Sequence, residues 1–133
     1  MTLWTFEHAE AAGQEASRQQ KAAEVEVRRA YGAAAEAEKA YRLALARKIT
    51  EFRAEGMAAT LCADLARGDE HVARLRMARD VAEGVREAAQ QAGWRLNSDR
   101  KSIESLTAWA RGVALRTDDV ADDRLAWSGR QAA

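Results

Sequence analysis

The side chains of this 133-residue chain best equipped for chemistry are its cations and its indoles. Arg95, Arg100, Lys101 and Arg111 alternate with Trp94 and Trp109, and Arg74, Arg76 and Arg79 precede them. Cations neutralise phosphates, and aromatic faces stack on bases whatever the sequence, which is the chemistry of single-stranded nucleic-acid binding. These nine residues form the candidate nucleic-acid site. The plainer reading of Trp94 and Trp109 is that each lies one helical step from an apolar stripe and only widens it.

Catalytic chemistry has little to work with. There are two histidines, His8 and His71, and a single cysteine, Cys62, which excludes a disulfide within the chain and a thiolate metal cluster. The sequence holds no glycine-rich phosphate loop, no Glu-x-x-His pair and no Cys/His spacing for zinc. It therefore points to a protein that is not an enzyme, with no cofactor and no metal. The nearest approach to a metal cluster is Asp64, Asp69, Glu70 and His71, which reads better as helix capping. A helix-turn-helix reading of the same region puts Asp64 where a small buried residue belongs, and the next helix is too long for a recognition helix.

The element that must position the cations runs from Leu75 to Val113. Leu75, Ala78, Ala82, Val85, Ala89, Ala92, Leu96, Asp99, Ile103, Leu106, Ala110 and Val113 recur every third or fourth residue, and only Asp99 is polar. Such a heptad predicts one long helix packed on another, about 60 Å of it at 1.5 Å per residue. Five of the twelve are alanine, which contributes little area, so a partner helix is required from this chain, from a second copy, or from both. Leu75, Ala82, Val85, Ala89, Ala92, Leu96, Asp99, Ile103 and Leu106 are the candidate oligomer interface. Asp99 either fixes register there or marks a wet gap.

A second helix is predicted from about Ser17 to Glu55. Val27, Ala30, Ala34, Ala37, Tyr41 and Ala44 keep the heptad before a stutter to Leu45, Ile49 and Phe52. Gly56 reads as its C′ residue. Thr60 and Gly68 bracket a short helix whose Leu61 and Leu65, with Met57, would plug the corner, and Asp69 caps the long helix. The expected fold class is all-α: two long antiparallel helices with a short corner helix, a coiled-coil-like helical hairpin. The expected divisions are an N-terminal segment 1–16 with Trp4 and Phe6 as an apolar patch, a hairpin domain 17–116, and an acidic flexible tail 117–133.

Charge is balanced overall, 21 basic against 21 acidic side chains, yet unevenly spread. Residues 28–116 carry a net +5 between ends of −3 and −2, which suits an anion-binding body. The tail sets Asp118, Asp119, Asp122 and Asp123 around Val120, with Leu125 and Trp127 beyond, a composition that could dock into a basic groove on a recombinase or other protein. No apolar run approaches the roughly 20 residues that span a bilayer, no secretory leader is evident, and the lone cysteine fits a reducing compartment. The expectation is a cytoplasmic protein, with no membrane partner.

Several local patterns together resemble a family. A tyrosine helix Glu38-Lys39-Ala40-Tyr41, an exit Arg53-Ala54-Glu55-Gly56, the corner Thr60 to Gly68, Leu75-Arg76 with Arg79-Asp80-Val81-Ala82-Glu83, and an ending of Ser105-Leu106 and Trp109 look like the small helical proteins encoded beside recombination genes in phages and prophages. The layout over residues 38–109 is similar to UvsY-type recombination mediators. The resemblance implies a homo-oligomer that binds single-stranded DNA and assists a recombinase in the host cytoplasm. The alternative is a helical adaptor or inhibitor, of antidefence type, docked on a host protein.

Overall fold

A computed structural model describes residues 5–131, without the side chains of Ser128, Arg130 and Gln131. Trp4, half of the expected N-terminal patch, lies outside the described residues. Those residues are all helical in class, with no strand among them: α1 (Phe6–Ala54), α2 (Ala59–Gly68) and α3 (Glu70–Gln131). The two long helices pack against each other antiparallel, with the short one beside them, as the periodicity predicts.

The helix ends obey local chemistry. Thr5 opens α1: its Oγ1 accepts the His8 N–H at 3.3 Å and lies 2.7 Å from His8 Nδ1, and its carbonyl accepts the Ala9 N–H at 3.0 Å. This N-cap starts α1 eleven residues before the predicted Ser17, so residues 6–16 belong to the same helix as the rest of α1. Gly56 closes α1 at φ 84°, with Met57 N–H on Phe52 O and Gly56 N–H on Arg53 O, both at 3.1 Å. That pair of bonds is a Schellman ending, and it needs the positive φ that glycine supplies freely. At the other end α3 does not stop near Arg116 but runs through the acidic segment to Gln131. The four aspartates are compatible with helix once the preceding turns have nucleated it.

The corner departs from expectation in detail. α2 starts after Ala58, which makes no side-chain cap bond, so Thr60 is not the N-cap, and Gly68 stays helical rather than turning left-handed. The joint is Asp69 alone. Its extended backbone (φ −61°, ψ 135°) donates to Ala66 O at 3.2 Å, ending α2, while its Oδ2 accepts the Val72 N–H at 3.2 Å, opening α3. Cys62 and Ala66 are the buried face of α2, and Leu61 and Leu65 remain about half exposed. The Cys62 thiol points to Met57 O at 3.6 Å.

The described residues form two compact units, residues 22–94 and residues 5–21 with 95–131. In both, α1 presents alanine at every seventh position: Ala9 and Ala16 in one, Ala23, Ala30, Ala37 and Ala44 in the other. Ala9, Ala16 and Ala30 are less than a tenth exposed. Side chains this small let two helix backbones approach closely, toward the low end of the usual 8–10 Å between axes. Gly93 on α3 meets α1 in the same way: a Cβ added there would lie 3.8 Å from Val27 Cγ2.

On α3 the inward stripe is Val72, Leu75, Arg79, Ala82, Arg86, Ala89, Gly93 and Leu96, continuing with Arg100, Ile103, Thr107 and Ala110. It is rotated one step from the predicted stripe. Leu75, Ala82, Ala89, Leu96 and Ile103 are half-buried and serve the seam within the chain. Val85 and Leu106, offered by the sequence as seam residues, are 56% and 47% exposed, and Asp99 is exposed too. Ala92 is half-buried between the two sets.

Candidate nucleic-acid interface

The rotation has one cause, three arginines in core register. Arg79 lies over the Tyr41 ring at 4.6 Å, with its guanidinium 3.5 Å from Glu38 and 2.9 Å from Asp80. Arg86 lies over Tyr31 at 4.9 Å and pairs with Glu83. Asp80 and Glu83, each hydrogen-bonded to its neighbour, hold these two guanidiniums above the usual arginine range. Arg100 pairs with Glu104 and donates to Asn97 Oδ1 at 3.3 Å, while its buried Nε finds no partner among the described residues. Long apolar stems let arginine occupy such positions with the charged head at the edge, and the tyrosine faces attract the cation. A hydropathy stripe skips arginine and settles on Ala78, Val85 and Ala92 instead.

Arg79 and Arg100 are therefore withdrawn from the predicted nucleic-acid site. In residues 22–94, Arg74 pairs with Glu70 one turn earlier, and Arg76 is exposed with no ion pair among the described residues. Trp94, also in this unit, is 64% exposed and does not widen the seam.

The other unit holds a more coherent arrangement. Arg95, Ser102, Trp109 and Arg116 recur every seventh residue on the outer side of α3, all exposed. Successive members stand about 10 Å apart along the helix. Lys101 stands beside Ser102, also exposed. Arg95, Lys101 and Arg116 make no ion pair among the described residues, and Arg116 Nε donates to Gly112 O at 3.2 Å. Ser102 and Ser105 turn their hydroxyls back to helix carbonyls, Ser98 O and Lys101 O, at 3.2 and 3.1 Å. Trp109 stands 62% exposed in the middle of the column. Arg111 lies on a different side, its guanidinium 5.3 Å from the centre of the Phe6 ring at the start of α1.

Of the nine predicted residues, Arg95, Lys101 and Trp109 share the outer, exposed side of this stretch of α3, spread over about 21 Å of helix. Arg116 completes the group; its seven-residue spacing from Trp109 is visible in the sequence once the seam register is known. No cluster of three or more His, Cys, Asp or Glu side chains suited to a metal ion occurs among the described residues, and the sequence-adjacent acids Asp69 and Glu70 act in capping and pairing. Among the described residues no helix is long and apolar enough to cross a membrane. Comparison with models of known families, with curated proteins and with solved structures found no match.

Proposed function

We propose that the protein binds single-stranded nucleic acid, DNA in the first instance, on the outer face of α3 between Arg95 and Arg116. It acts without catalysis, as a self-associating accessory factor in recombination or annealing. The observation that carries this is Trp109, a large indole held 62% in solvent between cations that no carboxylate of the described chain neutralises. An exposed indole with cations free of carboxylates one and two heptads away on the same side of the helix offers a stacking face and phosphate counter-charges along one strand, and needs no base-specific contact. The recombination context comes from the family resemblance over residues 38–109.

Fluorescence anisotropy of a labelled oligothymidine at low salt tests the reading. Binding at micromolar protein that weakens as salt rises supports it; no binding, or binding indifferent to salt, removes it. A specific surface favours the adaptor as second reading: Met77, Val81 and Val85 are 69%, 59% and 56% exposed on α3. Recovery from host lysate of a stoichiometric protein partner without nucleic acid would select it.

A further inference from the structure

The side of α3 that carries Trp109 does not end at Arg116. From Val113 onward every described side chain is exposed. Eighteen residues are five complete turns of an α-helix, so Trp127 stands on the same side as Trp109, about 27 Å further along. Its indole is 59% in solvent, close to the 62% of Trp109. Arg116 lies between the two indoles, about 20° from the line that joins them, and Arg124 about 60° from it.

A shallow groove runs along this stretch, lined by Val113, Arg116, Thr117, Val120 and Arg124 and by no acid. Neither arginine makes an ion pair among the described residues. The four aspartates keep clear of the groove. Asp118 and Asp122 fall on the far side of the helix, and Asp119 and Asp123 on the flank of the line away from Arg124. Two guanidiniums without a carboxylate beside them favour an anion, and the valine floor suits the apolar faces of bases.

We infer that Trp127 is a second stacking platform, and that a strand laid on the Arg95–Arg116 face continues through this groove. Its phosphates meet Arg116 and Arg124, and one base stacks on each indole. The inference rests on the single-strand reading given above and narrows its ligand. A duplex keeps its bases paired inside and cannot offer one to each indole. The ligand is therefore an unpaired strand that covers the 27 Å between them, about eight nucleotides at the 3.4 Å per nucleotide of a stacked strand and fewer when extended.

The test is a pair of anisotropy titrations at low salt, with oligothymidines of about 4 and about 16 nucleotides, the two ends of the usual range of single-strand site sizes. Circular dichroism shows that the variants, both at exposed positions, are folded. Trp127→Ala should weaken binding of the long strand about 5- to 150-fold, the loss of one stacked base. The short strand, which Trp109 still holds, should bind near the native level. Arg124→Ala should flatten the salt slope of the long strand by about 0.7, one phosphate contact, and leave that of the short strand unchanged. Native-level binding of the long strand by Trp127→Ala, or an equal loss at both lengths, overturns the inference and leaves the Arg95–Arg116 face standing. A native chain that binds neither strand removes that face and the inference together.

Discussion

Trp109 decides the functional reading, and its removal is the most direct test. Base–aromatic stacking is worth about 1–3 kcal/mol per base, so Trp109→Ala should weaken oligonucleotide binding about 5- to 150-fold in an anisotropy titration. Arg79→Ala should behave in the opposite way, lowering the melting temperature through loss of its Tyr41 and Glu38 contacts while leaving binding near the native level. Asp69 offers a pH test. The Val72 N–H, and then Lys48, hold its carboxyl below the ordinary 3.8, against a desolvation that opposes them. A depressed carboxylate contributes stability above its unfolded pKa and loses it as pH falls through the folded one. Asp69→Asn, which keeps a capping oxygen, should melt below the native chain at neutral pH, and the difference should close in acid below pH 3.8. The arginines also show where sequence reading stops. A guanidinium over a tyrosine is a core contact made by a residue that every hydropathy scale places outside.

At the scale of the helix, alanine spacing sets the packing. Ala30 is 6% exposed in the seam, so Ala30→Leu forces the backbones apart and should cost about 1–3 kcal/mol in chemical denaturation. Gly93→Ala should do the reverse. The added methyl would lie at ordinary contact distance from Val27, and alanine is better than glycine inside a helix by about 1 kcal/mol. The helices themselves are legible in the sequence: no proline, sustained 3-4 spacing, Gly56 as the stop and Asp69 as the cap. On α1 the stripe Val27 to Ala44 shows its true register because tyrosine and alanine carry it. On α3 the legible register is one step off, because three of the inward positions are arginine and one is glycine. The start at Thr5 and the helical course of Asp118 to Asp123 are hidden for a related reason. Polar composition argues for loose ends, while capping and continuation from a formed helix prevail.

For the molecule as a whole, the charge distribution gives a quantitative expectation. If Arg95, Lys101 and Arg116 each neutralise one phosphate, the logarithm of the binding constant should fall with the logarithm of salt at a slope of about −2 per copy, from roughly 0.7 per contact on a single strand. Reversing one of the three, as in Lys101→Glu, should flatten that slope, whereas changes at Arg74 or Arg79 should not. Self-association would add to this avidity without new contacts on any one copy.

The recurrence of alanine at positions 9, 16, 23, 30, 37 and 44 carries one more consequence. The rungs are alike, so alanine spacing by itself does not single out a partner on α3 for each of them. The tyrosines at 31 and 41 break this degeneracy, because each accepts one particular arginine from the opposite arm. Replacing both with alanine removes these two register contacts, so the melting temperature should fall while the helix content read by circular dichroism is kept.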